Sequence, residues 1–75
     1  MNATKKQFTD AYRETLVQMY AWATHSDALN KFMESCEATL AGANTWNFHG
    51  HAVNQAWVAI GGKGKPTLKA LRALQ

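Results

Sequence analysis

Residues 27–42 read Asp27-Ala28-Leu29-Asn30-Lys31-Phe32-Met33-Glu34-Ser35-Cys36-Glu37-Ala38-Thr39-Leu40-Ala41-Gly42. Leu29, Phe32, Met33, Cys36 and Leu40 fall at i, i+3, i+4, i+7 and i+11, the spacing of one face of an α-helix. Asn30, Lys31, Glu34 and Glu37 take the opposite faces. Gly42 then supplies a stop, because glycine accepts the left-handed backbone that ends many helices. The same apolar residues do not alternate with polar ones, so a half-buried strand is a poor reading.

The pattern repeats upstream. Phe8, Tyr12, Leu16, Met19 and Ala23 recur at steps of four, four, three and four, which predicts a helix over about 4–23. Asn2 or Thr4 can cap it. Asp10 and Glu14 precede no lysine at the helpful spacing, so packing must hold this helix more than ion pairs do. Thr24 with Asp27 resembles a capping box for the next helix, and Ser26 is a rival cap.

Downstream, Ala43 to Gly50 reads as a loop, with Trp46 and Phe48 closing over one end of the core. Ala52, Val53, Ala56, Trp57 and Ile60 share the face of a third helix. Gly61-Gly62-Lys63-Gly64-Lys65 breaks it. Pro66 suits the first position of a fourth helix, where a missing N–H costs nothing. Leu68, Leu71 and Leu74 mark its buried face, with Lys69 and Arg72 opposite. The expected architecture is all-α: one domain over residues 1–75, a compact bundle or orthogonal array of about four helices, roughly 4–23, 26–41, 50–60 and 66–74.

Bulk properties bound the function. The chain has 75 residues, 47% hydrophobic and 17% charged, too apolar for a disordered segment. Its single cysteine, Cys36, cannot form an internal disulfide, so a reducing compartment, the cytoplasm, is the expectation. No run nears the roughly 18 apolar residues that span a bilayer, and no leader pattern is visible. The formal charge of +3 is compatible with nucleic acid without requiring it.

Candidate chemistry is sparse. His25, His49, His51 and Cys36 lack the spacing of a metal site, so no metal or other cofactor is expected. Ser26 and Ser35 sit in no glycine-flanked elbow. Cys36 lies on the apolar stripe, where burial raises its pKa and leaves it inert. Catalytic residues are therefore not expected. Two surfaces remain. Tyr20 and Trp22 fall at the margins of the first stripe and Trp46 in the loop, three aromatics suited to a protein partner. Lys63, Lys65, Lys69 and Arg72 place four cations within ten residues, suited to nucleic acid or to an acidic protein surface.

In size and composition the chain has the general look of small accessory proteins encoded by phages and mobile elements. The leading expectation is a non-enzymatic binding protein that acts by stoichiometric contact, as an inhibitor or adaptor of a host complex. The alternative is a small nucleic-acid-binding regulator using the basic C-terminal segment. A homodimer is compatible with either, and no membrane partner is expected.

Overall fold

Thr4 starts the first helix. Its hydroxyl accepts from the amide of Gln7 at 3.0 Å, and the Gln7 side chain accepts from the amide of Thr4 at 2.9 Å. This reciprocal pair satisfies two amides that the helix itself cannot. The computed structural model describes residues 3–42 and 48–75. Along them run α1 (Lys5–Met19), a 3₁₀ turn (Ala21–Thr24), α2 (Ser26–Leu40), α3 (Gly50–Ala59) and α4 (Leu68–Arg72). No strand occurs among the described residues. The all-α bundle is therefore present, with two boundaries and one helix cap that differ from expectation.

The first difference is the end of α1. Phe8, Tyr12 and Leu16 are fully buried on its inner face. The helix stops at Met19, and Tyr20 is extended at φ −132°, ψ 128°. The expected helix over 4–23 is thus a shorter helix plus a 3₁₀ turn. Swinging the chain at Tyr20 lets Ala23 still reach the core while α2 packs against both α1 and the turn. An exposed Lys6–Asp10 pair at 2.8 Å adds little to α1, because water screens it.

The second difference is the cap of α2, which starts at Ser26 as expected. His25 is its N-cap and makes no side-chain capping bond. The Thr24 hydroxyl donates back to the carbonyl of Ala21 at 2.7 Å instead, so the Thr24–Asp27 capping box does not form. Ser26 is already helical, so it is not the cap either. Leu29, Met33, Cys36 and Leu40 are buried as their spacing requires. Thr39 joins them, with its hydroxyl donating to the carbonyl of Ser35 at 2.9 Å. Phe32 is half-buried at the flank. Gly42 follows at φ +119° and donates to Thr39 O at 3.3 Å.

Helix α3 packs mainly on α1 through Ala52, Val53 and Ala56, whose small side chains permit close approach. Its start is tied to α1: the amide of His49 donates to the buried Tyr12 hydroxyl at 2.8 Å. Phe48 sets its ring edge-on to Phe8 and Tyr12, at centroid distances of 5.7 and 5.5 Å. Its expected role as a cover for the core is therefore met. Trp46 lies outside the described residues, as does Asn2.

The C-terminus of α3 is a Schellman motif. Gly61, at φ +92°, donates to Val58 O at 3.0 Å, and Gly62 donates to Trp57 O at 2.8 Å. The buried Trp57 indole lies against Gly62 and donates from Nε1 to the carbonyl of Lys63 at 3.2 Å.

The third difference is α4. Thr67, extended at φ −108°, ψ 160°, is its N-cap, and its hydroxyl accepts from the amide of Ala70 at 3.1 Å. Pro66 precedes that cap and is buried, so it does not open the helix. Leu71 and Leu74 close the core. Among the described residues no buried side-chain nitrogen or oxygen lacks a hydrogen-bond partner.

Candidate functional site

The break at Tyr20 creates the most distinctive surface. Its hydroxyl hydrogen-bonds to Nε2 of His49, and its ring meets the imidazole edge-on at 4.7 Å. On its other side Tyr20 stacks with Trp22, the centroids 5.9 Å apart and the planes 21° from parallel. Trp22 leans in turn on Phe32 of α2, at 5.3 Å and 52°. Phe32 stacks on the buried Tyr12 at 6.3 Å. A continuous run of rings thus leads from the core to the surface, and each ring restricts the next.

Within that run, between Tyr20 and Phe32, Trp22 is 37% exposed, the one aromatic among the exposed large hydrophobics of the described residues. It borders a shallow groove lined also by Ala28, Lys31, Phe32 and Ser35. Lys31 makes no ion pair among the described residues. The groove therefore offers an apolar floor with one cationic rim. The contact between Tyr20 and His49 joins positions 29 residues apart, so no local spacing announced it. Trp46, the third expected member, lies outside the described residues.

The basic segment is less uniform than its sequence. Lys63, Lys65 and Lys69 are exposed. Arg72 is half-buried, and its Nε donates to the carbonyl of Thr39 at 3.1 Å. There it meets the C-terminal end of α2, where positive charge is favoured. The exposed side of α3, the helix that precedes the lysine segment in the chain, carries His51, Asn54, Gln55 and Val58. Their i, i+3, i+4, i+7 spacing was open to reading in the sequence, as the polar complement of the Ala52–Trp57 face.

The remaining titratable groups are enclosed. Burial pushes the Cys36 thiol from 9.0 up to about 12, with Glu37 adding to the effect. Burial likewise pushes the Tyr12 phenol from 10.0 up to about 12, against the hydrogen bond from His49 that favours ionisation. Nucleophiles held this firmly in their protonated forms react poorly. No three His, Cys, Asp or Glu among the described residues stand close enough to hold a metal ion. No helix among the described residues is long and apolar enough to cross a membrane.

Compared with protein-family models, curated proteins and solved structures, the chain matches none.

Proposed function

We propose that this protein is a small non-enzymatic binding module that engages one protein partner through the Tyr20–Trp22 surface. The observation that carries this reading is the fixed and exposed Trp22 ring. Held between Tyr20 and Phe32, it has little rotamer freedom left to lose on binding, which favours affinity. Aromatic anchors of this kind dominate protein interfaces. The partner chemistry that complements the groove is an apolar side chain next to a carboxylate, the latter opposite Lys31. Acting by occupancy rather than turnover, such a module would serve as an inhibitor or adaptor. A lone buried thiol suits a reducing compartment such as the cytoplasm.

The test is affinity capture from extracts of the source cells, with and without nuclease, followed by stoichiometry from native mass. The expected result is one protein held at a fixed ratio, insensitive to nuclease. Trp22→Ala should lose it, and Lys31→Glu should weaken it, with unchanged helical circular dichroism. Retention of the same protein by Trp22→Ala would end the reading. So would self-association alone, which would make the surface a dimer contact.

A further inference from the structure

All five Asp and Glu residues lie at or before Glu37; after it come Lys63, Lys65, Lys69 and Arg72 and no acid. Arg72 is engaged at the end of α2, which leaves three exposed lysines on a stretch with no opposing charge. Helix α3 belongs to this carboxylate-free half. Its inner side is spent on α1, through Ala52, Val53 and Ala56, and its outer side presents His51, Asn54, Gln55 and Val58.

The outer side is uncharged and rich in paired donors and acceptors. Side-chain amides match the donor–acceptor edge of adenine, an imidazole can meet a purine acceptor, and an aliphatic group meets the thymine methyl. Val58, at 65% exposure, is the most exposed large hydrophobic among the described residues and is available for such a contact. From His51 to Val58 the helix advances about 10 Å, or about three base steps at 3.4 Å each. The Schellman turn then delivers the chain to Lys63, whose carbonyl is pinned by Trp57 Nε1. The lysine segment therefore leaves from a fixed point at the end of α3.

We propose that α3 and the segment after it form a duplex-DNA-binding surface. The outer side of α3 enters the major groove, and Lys63, Lys65 and Lys69 meet phosphates. DNA rather than RNA follows from the groove. The B-form major groove, about 12 Å wide, admits a helix, whereas that of A-form RNA is deep and narrow. This surface shares no residue with the Tyr20–Trp22 groove, so each stands without the other.

The test is fluorescence anisotropy of the full chain with a labelled mixed-sequence duplex DNA, from about 50 mM salt upward. Binding is expected at low salt and should weaken steeply as salt rises. The triple variant Lys63→Ala/Lys65→Ala/Lys69→Ala should lower affinity at least tenfold. It should also flatten the slope of log K against log salt by roughly 0.9 per lysine. The double variant Asn54→Ala/Gln55→Ala should keep the slope and lose the sequence preference recovered from a random duplex pool. Trp22→Ala should bind DNA as the parent does, which separates this proposal from the protein-binding one. Absence of duplex binding at low salt, a triple variant that binds like the parent, or a preference for RNA or single strands would overturn it.

Discussion

A Cβ placed on Gly62 would stand 2.3 Å from Cε2 of Trp57, closer than real Cβ contacts come. The indole is buried and hydrogen-bonded to Lys63 O, so it has nowhere to retreat. Gly62→Ala should therefore lose about 1–3 kcal/mol, read as a fall in the urea midpoint at constant slope. Gly50→Ala is the contrast. A Cβ there meets nothing within 4 Å and the residue is helical, so neutrality or a small gain is expected.

Arg72 is more than a surface charge. Removing it from the carbonyl of Thr39 takes away a charge-assisted hydrogen bond and a favourable contact with the end of α2. Arg72→Ala should cost about 1–3 kcal/mol in chemical denaturation. Alanine at Lys63, Lys65 or Lys69 should stay within about 0.5 kcal/mol, as is usual for exposed positions.

Capping separates two similar threonines. Thr4→Ala removes the hydroxyl that accepts from the Gln7 amide, one half of a formed box, and should cost about 1 kcal/mol in thermal or urea unfolding. Thr24→Ala removes only a bond to Ala21 O from an exposed side chain and should cost less. An equal loss at the two positions would show that Thr24 does more than this bond implies.

Stability should fall in alkali. Tyr12 and Cys36 both ionise less readily in the fold than free, at about 12 against ordinary values of 10.0 and 9.0. Folding thus favours their protonated forms. That contribution is complete below pH 9 and is lost as pH rises toward 12, about 3 kcal/mol from Tyr12 alone. Melting temperatures at pH 7, 9, 10 and 11 should decline progressively above pH 9. Cys36→Ala should shift the onset of the decline upward. The thiol itself should resist thiol reagents at pH 8 until the protein unfolds.

What could be read in advance was decided by period. Leu29, Met33, Cys36 and Leu40 sit on a helical repeat that burial then enforces, and so do Phe8, Tyr12 and Leu16. The break at Tyr20 carried no such mark, because no glycine or proline stands between Thr4 and Ala23. It arises from packing, where the turn brings Ala23 inward and Trp22 onto Phe32. Pro66 misled for a local reason. Its fixed φ suits a helix start, but Thr67 beside it offers a hydroxyl, and the cap went to the residue that could accept a hydrogen bond. Of the candidate surfaces, Tyr20 and Trp22 were legible as stripe margins. The bracing of Tyr20 by His49 was not, because it depends on how α3 meets α1.

Helix α4 is only five residues long, far short of the length at which a helix persists alone. It survives because Thr67 caps it, Leu71 plugs the core and Arg72 grips α2. Amide hydrogens there should exchange with solvent through partial openings that leave α1 and α3 intact. Lys69 rides on this detachable piece, so any anion that clamps it would slow exchange at α4 first.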